Sequence, residues 1–217
     1  MKNKLKCARF IHGTKRSHEE ALQHIGQYLK ATMDQGLILT PTKNQYNIDC
    51  YVDADFAGLY HIDDVMDSSC VKSRTGYVLC ICNCPIVWVS KLQSDIATST
   101  MEAEYNALSM AMRDLLPLRT VFATVGKALG ISDDITSSFK TTVHEDNQRC
   151  LKLAQKKPGQ STPRSKHYAV KYHWFRSHLS DSTNRTEVTH IDTKVQRADI
   201  LTKSMPRQSF ESIRKLL

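Results

Sequence analysis

Residues 46–55 (YNIDCYVDAD) alternate between apolar and polar side chains and end in two acidic residues. The apolar side chains recur at every second position, which predicts a half-buried strand: Tyr46, Ile48, Cys50 and Val52. Asp53 and Asp55 lie at the end of this strand. An acidic residue in such a place is more often part of a turn than of a site, so this strand alone indicates no chemistry.

Three more acidic residues occupy comparable settings further along the chain. Glu104 lies in the first turn of a predicted helix, Asp146 ends a second β-rich run, and Asp199 begins a helix near the C-terminus. The order is strand end, helix start, strand end, helix start. One fold would be able to gather all four carboxylates, Asp53 included.

Four carboxylates packed together repel one another unless some are protonated or a cation lies between them, so a hard metal ion is the usual explanation. Mg²⁺ prefers oxygen ligands, and two such ions roughly 3.5–4 Å apart stabilise the attacking and leaving oxygens of a phosphodiester displacement. The pattern therefore favours a nuclease that uses two Mg²⁺ ions, with Mn²⁺ as a possible substitute.

The order of the predicted elements indicates an α/β fold with helices on the faces of a mixed sheet. A hairpin of residues 75–82 and 85–90 is predicted to turn near residues 83–85, and Trp88 is expected in the core. A helix from Thr100 is expected to break near Pro117. The remaining predicted elements are a helical stretch to Ala128, a strand (140–146), a helix (147–155), a loop (158–163), a helix (166–179), a strand (186–191) and terminal helices.

The chain divides near residue 45. Residues 14–33 carry apolar side chains at helical spacing, which predicts an amphipathic helix followed by Gly36, a short apolar strand and a turn. The net charge of +8 and the pI near 9.1 favour a polyanionic partner. No apolar stretch has the length of a membrane span or a secretory signal, so the expected location is intracellular. The seven cysteines show no CxxC spacing and are expected to be core thiols.

Several phrases of the sequence resemble the ribonuclease H region of copia-type retrotransposon polyproteins. These phrases occur in the order expected for that region, and together they are more specific than any single phrase. They are residues 51–58 (YVDADFAG), 72–77 (KSRTGY), 87–93 (VWVSKLQ), 99–107 (STMEAEYNA), 145–148 (EDNQ), 165–176 (SKHYAVKYHWFR) and 196–203 (QRADILTK). The resemblance implies a ribonuclease H-like fold with a five-stranded mixed sheet for residues 46–217, including a C-terminal helical tail. Residues 1–45 resemble the end of the reverse transcriptase region that precedes it.

The resemblance also selects among neighbouring acidic residues in the first half of the chain. It matches Asp53 rather than Asp55, because the strand-ending Asp of the family precedes a small residue. Its Ala-Glu-aromatic step selects Glu104 rather than Glu102, which would point to another side of the helix.

In the second half of the chain, Asp146 matches the Asp that precedes Asn in this family. It is preferred to Glu145 because neighbours on a strand point to opposite faces of the sheet. Asp199 matches the Ala-Asp pair that begins the last family motif.

The resemblance implies further roles for polar residues near these acids. Four of them would meet ribose or phosphate oxygens of a bound hybrid, although helix capping is the competing role: Ser99, Thr100, Asn147 and Gln148. His190 resembles the mobile histidine that precedes the last acidic residue in ribonucleases H. His167 is the better match to the copia-type phrases but has no clear role.

The function that the resemblance implies is endonucleolytic cleavage of the RNA strand of RNA/DNA hybrids during reverse transcription. The expected partner is the reverse transcriptase portion of the same polyprotein, in a cytoplasmic virus-like particle or in the nucleus. The alternative from another class is a module that binds nucleic acid without cutting it. An integrase is disfavoured, because that group expects a later catalytic Glu and lacks the ADILTK element of residues 198–203.

Overall fold

The computed structural model describes residues 13–42, 46–60, 66–131, 140–155 and 186–217, together with residues 174 and 179. Within these ranges lies a five-stranded sheet of order β3-β2-β1-β4-β5. Its strands are β1 (Asn47–Asp55), β2 (Arg74–Ile81), β3 (Cys84–Leu92), β4 (Lys140–Glu145) and β5 (Thr186–His190). Strand β2 runs antiparallel to both β1 and β3, whereas β4 runs parallel to both β1 and β5. The predicted mixed sheet of a ribonuclease H-like fold is confirmed.

Helices cover both faces of this sheet. They are α2 (Thr100–Ala128), α3 (Gln148–Ala154), α4 (Asp199–Thr202) and α5 (Arg207–Arg214), whereas α1 (Arg16–Ala31) precedes the sheet in the chain and buries none of its residues. On one face Val52 packs with α2 and α3, and on the other face Tyr51 packs with α4 and α5. The prediction that β1 is half-buried was therefore wrong, because a central strand between two helical layers buries both of its faces.

The β2–β3 hairpin turns at Cys82 and Asn83, one to two residues earlier than predicted. Both residues have positive φ angles, 48° and 70°, as a tight two-residue hairpin turn requires. Cys84 and Pro85 belong to β3 instead. Proline is tolerated there because β3 is an edge strand and Pro85 lies beside an irregularity in its pairing with β2.

Helix α2 continues through Pro117 without the predicted break. Leu115 before the proline and Leu118 and Phe122 after it all pack against the core. Burial of about 1.5–3 kcal/mol for each large apolar side chain offsets a proline cost of about 3 kcal/mol. The packing on both sides of Pro117 therefore keeps the helix on the sheet.

Two other predictions fail because the segments lack packing neighbours. The apolar residues that follow α1 form no strand, and Leu37, Ile38 and Leu39 are half to four-fifths exposed. Trp88 is 57% exposed, because its side of the edge strand β3 is left open to solvent. The predicted loop at 158–163 lies outside the described residues, as does nearly all of the predicted helix at 166–179.

Helix α1 contacts the C-terminal helix α5. The rings of Tyr28 and Phe210 meet edge to face with centroids 6.0 Å apart, and the Nη1 of Arg214 donates to the Tyr28 hydroxyl at 3.4 Å. In the part of the chain that the structure describes, no helix is long and apolar enough to span a membrane. The described cysteines are free thiols and all but Cys82 are buried, as predicted for core residues.

Candidate metal centre

The structure brings the four predicted carboxylates together. Asp53, Asp146 and Asp199 each place one oxygen within 4.8 Å of the others, and Glu104, Glu145 and Asp146 form a second group with the same spacing. Asp146 belongs to both groups. The four predicted residues and Glu145 therefore form one continuous acidic cluster.

The topology explains why these residues meet. Strands β1 and β4 are parallel neighbours, so Asp53 and the Glu145–Asp146 pair lie at the same end of the sheet, where both strands have their carboxyl-terminal ends. Glu104 reaches this end of the sheet from the second turn of α2, and Asp199 is the first residue of α4. The Oγ1 of Thr193 donates to the Oδ2 of Asp146 at 2.8 Å and fixes its orientation.

Gly76 allows α4 to approach the sheet closely enough to deliver Asp199. It lies on β2 directly opposite Asp53. A Cβ atom at this position would lie 2.5 Å from the Cγ2 of Thr202 and 3.0 Å from the Cβ of Leu201. Any larger residue would push α4 and its carboxylate away from β1.

Lys203 supplies positive charge to the half of the cluster that contains Asp53 and Asp199. Its Nζ donates to the Oδ1 atoms of Asp53 and Asp199, both at 2.8 Å. The Thr202 hydroxyl donates to the other oxygen of Asp53. One ammonium group therefore balances two carboxylates.

The environment of this half shifts the pKa of each group. Burial raises the pKa of Asp53, and the charge and hydrogen bond of Lys203 oppose that rise. Burial and the neighbouring Asp53 raise the pKa of Asp199 to about 6, again against Lys203. Burial lowers the pKa of Lys203, but the two carboxylates outweigh this and raise it above its ordinary value, so the lysine stays charged.

The other half of the cluster, which contains Glu104 and Glu145, has buried oxygens without hydrogen-bond partners. The Oε2 atoms of Glu104 and Glu145 are inaccessible to solvent and accept no hydrogen bond. Burial raises the pKa of Glu145 to about 8, although the backbone N–H of Asn147 donates to its Oε1 at 3.0 Å and opposes the shift. Burial and then Glu145 raise the pKa of Glu104 well above its ordinary value. Orphaned buried oxygens in an all-oxygen set fit a hard divalent cation.

Glu145 is the residue that sequence reasoning missed. The argument from strand alternation set it aside in favour of Asp146. Because β4 ends at Glu145, alternation does not extend to Asp146, and both carboxylates reach the cluster. Two acidic residues in succession at a strand end were the signal that would have found it.

The two acidic residues that the resemblance set aside lie elsewhere. Asp55 belongs to neither group of close carboxylates, and its side chain lies against Gly58. The carboxylate of Glu102 accepts hydrogen bonds from the backbone N–H and the hydroxyl of Thr98, at 2.6 and 2.7 Å. Glu102 therefore stabilises the start of α2.

The candidate substrate-binding residues lie at the N-terminal ends of α2 and α3. The Oγ of Ser99 accepts from the N–H of Glu102 at 3.2 Å, and the Oδ1 of Asn147 caps α3. These are the capping roles that competed with hybrid binding in the sequence. Thr100 and Gln148 are exposed.

Of the two candidate histidines, only His190 lies within the described residues. His190 is exposed at the end of β5 and is the pairing partner of Glu145, so it lies one strand away from the cluster. His167 lies outside the described residues.

Comparison with known proteins gives retrotransposon polyproteins as the relatives that cover nearly the whole chain. No protein-family model matches the chain. The retrovirus-related Pol polyprotein from transposon TNT 1-94 of Nicotiana tabacum is 31% identical over 210 residues, which are 97% of this chain and 14% of that protein. The Pol polyprotein from transposon RE2 of Arabidopsis thaliana is 28% identical over 95% of this chain and 13% of its own length. The homologues of this chain are copia-type Pol polyproteins.

The chain thus corresponds to about one seventh of these polyproteins. Among solved structures, LC11-RNase H1, isolated from compost by a metagenomic approach, aligns with a TM-score of 0.49 and 18% identity over 79% of this chain and 98% of that one. The recognition of a copia-type polyprotein segment from its sequence phrases is confirmed by the polyprotein relatives.

Proposed function

We propose that this chain is an endonuclease that hydrolyses the RNA strand of RNA/DNA hybrids and leaves 3′-hydroxyl and 5′-phosphate ends. The observation that carries the proposal is the acidic cluster at the carboxyl-terminal ends of β1 and β4, in which two buried carboxylate oxygens lack a hydrogen-bond partner. The homology to Pol polyproteins supports a role in reverse transcription. There the chain would remove template RNA.

The predicted ligands of two divalent cations are Asp53, Glu104, Asp146 and Asp199. Such ions, when bound, supply charge that stabilises the attacking and leaving oxygens of a phosphodiester displacement. Two hydroxyl groups of the chain fix ligands in advance, since Thr202 holds Asp53 and Thr193 holds Asp146. This preorganisation limits the reorganisation that binding requires.

Charge and polar groups support a hybrid as the substrate. The net charge of +8 favours a polyanion, and phosphate contacts give affinity without sequence preference. Discrimination between RNA and DNA requires a group that reads the 2′-hydroxyl. We assign this to the exposed Thr100 and Gln148 and to the amide of Asn147.

We further propose that residues 1–45 are the end of the polymerase region and that residues 46–217 form the ribonuclease H-like domain. The reverse transcriptase portion of the same polyprotein would then be the partner that presents the hybrid. A cytoplasmic virus-like particle or the nucleus is the corresponding location.

Cleavage assays on purified chain test the proposal. Asp53→Asn and Glu104→Gln are expected to lower Mg²⁺-dependent cleavage of a hybrid by about 10²-fold or more, because each removes a ligand charge, while hybrid affinity changes little. Glu102→Gln is the matched control on the same helix turn and is expected to keep most of its activity. Near-full activity of Asp53→Asn would sink the assignment.

A second pair of substrates separates the proposed enzyme from its alternative. A DNA duplex of the same sequence is expected to resist cleavage, and hybrid binding is expected to weaken steeply with salt. Equal cleavage of both duplexes would contradict the ribonuclease H assignment. Salt-sensitive binding without cleavage in Mg²⁺ or Mn²⁺ would show instead that the chain is a nucleic-acid-binding module.

A further inference from the structure

Glu145 is a fully buried acid at the end of a central strand. Its side chain has 0% exposure and its Oε1 accepts the backbone N–H of Asn147 at 3.0 Å. That bond leaves Oε2 as a buried oxygen without a hydrogen-bond partner. A buried carboxylate oxygen in this state is unfavourable unless something satisfies it.

Glu104, which belongs to the same group of close carboxylates, carries a second orphaned oxygen. Its Oε2 is also buried without a partner, and its side chain is 6% exposed. Ligand oxygens of Glu104, Glu145 and Asp146 all lie within 4.8 Å of one another. The two buried oxygens without partners are an observation separate from the close spacing of the three carboxylates, and they fit a site for a hard cation.

The two halves of the cluster differ in how their charge is balanced. Asp53 and Asp199 share the Lys203 ammonium at 2.8 Å. Among the described residues, no basic side chain forms an ion pair with Glu104, Glu145 or Asp146. A divalent cation that enters the second group displaces no protein cation, whereas one that enters the first group competes with Lys203.

We propose that Glu145 is a metal ligand, and that Glu104, Glu145 and Asp146 bind one divalent cation before nucleic acid is present. This inference rests on the proposed function and deepens it, because it adds a fifth carboxylate to the metal centre and an order to its loading. Three carboxylates around one hard cation supply more ligand charge than the cation carries, which raises affinity. The half that contains Lys203 is then filled second, together with the substrate.

Titration of the full chain with Mn²⁺ alone tests this order. The protein is stripped with chelator and the free Mn²⁺ is measured by electron paramagnetic resonance in the absence of nucleic acid. The native chain is expected to bind one ion tightly, and Glu145→Gln is expected to weaken this binding by about tenfold or more. Glu187→Gln is the matched control, since Glu187 is an exposed glutamate on β5 that pairs with Lys140, and its Mn²⁺ affinity is expected to stay unchanged.

The glutamine variant keeps an acceptor for the Asn147 N–H, and circular dichroism checks that it folds. If it does not fold, Glu145→Asp, which draws the carboxylate back by one methylene, is expected to weaken Mn²⁺ binding by a smaller factor. Binding by either folded variant that equals that of the native chain overturns the inference.

Cleavage assays on the same preparations separate this inference from the proposed function. A native chain that cleaves hybrids with Mg²⁺ but binds no Mn²⁺ alone overturns only the loading order. A native chain that binds Mn²⁺ through Glu145 but cleaves no hybrid supports the inference and contradicts the proposed function.

Discussion

The stability of the metal-free chain should depend on pH through Glu145. Its pKa is raised to about 8 in the folded chain from an ordinary value of 4.5, mainly by burial. Between these two values the folded chain keeps a proton that the unfolded chain has lost. The folded state therefore loses stability as the pH rises from about 4.5 to about 8. Glu145→Gln mimics the protonated acid and removes this dependence.

The size of the effect follows from the same two pKa values. With 1.36 kcal/mol per pKa unit, the linkage relation gives a loss of about 3 kcal/mol for the native chain between pH 5 and pH 8. This is a large part of the 5–15 kcal/mol by which a typical domain is stable, so the difference is easy to measure. The variant and the native chain should have similar stability near pH 5 and differ most at pH 8.

Urea unfolding in the presence of chelator, followed by circular dichroism at pH 5, 6, 7 and 8, measures the difference. Subtracting the two free energies of unfolding at each pH leaves the contribution of Glu145 together with its effect on the titration of the neighbouring Glu104. Saturating Mg²⁺ should restore the native chain at pH 8 more than it restores the variant. Parallel pH profiles for the two proteins would show that Glu145 is ionised in the folded chain, and the reasoning from burial would be refuted.

Two further substitutions test how the cluster is held. Lys203→Met is expected to lower the free energy of unfolding at pH 7 by about 1–2 kcal/mol in chelator. This value is smaller than that of a fully buried ion pair because the lysine is one-third exposed. Mg²⁺ should stabilise this variant more than it stabilises the control Lys194→Met, which changes an exposed lysine, and equal responses would contradict the charge balance. Gly76→Ala is expected to cost about 1–3 kcal/mol in urea unfolding, because its Cβ would lie 2.5 Å from Thr202. The control is Gly26→Ala on α1, where an added Cβ meets no atom within 4 Å, and it should not lower the free energy of unfolding. A Gly76→Ala chain as stable as the native one would show that α4 is not held by this contact.

The sequence was sufficient for the elements whose pattern is local. The alternation of residues 46–55 and the start of α2 are read from neighbouring residues, and both elements are found where predicted. Predictions failed where tertiary packing outweighs local preference. Pro117 does not end α2, because apolar residues on both sides of it pack on the sheet. The apolar run after α1 forms no strand, because it does not pair with the sheet.

The sequence predicted four acidic residues of the candidate site, but it missed Glu145 and gave none of the contacts. The order of the acidic residues together with the family phrases selected Asp53, Glu104, Asp146 and Asp199, and the fold brings them together. Lys203 was not singled out, although it lies in the same motif as Asp199. Its position depends on how α4 docks on β2 at Gly76, which no local pattern of the sequence specifies.

The balance of charge gives the cluster its chemical character. Five carboxylates and one ammonium share a mostly buried space at the edge of the sheet. Without further cations, burial keeps part of this charge neutral, as the raised pKa values of Glu104 and Glu145 show. Hard divalent cations would let every carboxylate ionise and would satisfy the two orphaned oxygens at once. The same burial that destabilises the metal-free chain at high pH therefore favours metal binding there, so the apparent Mg²⁺ affinity should rise with pH across the window in which Glu145 loses its proton.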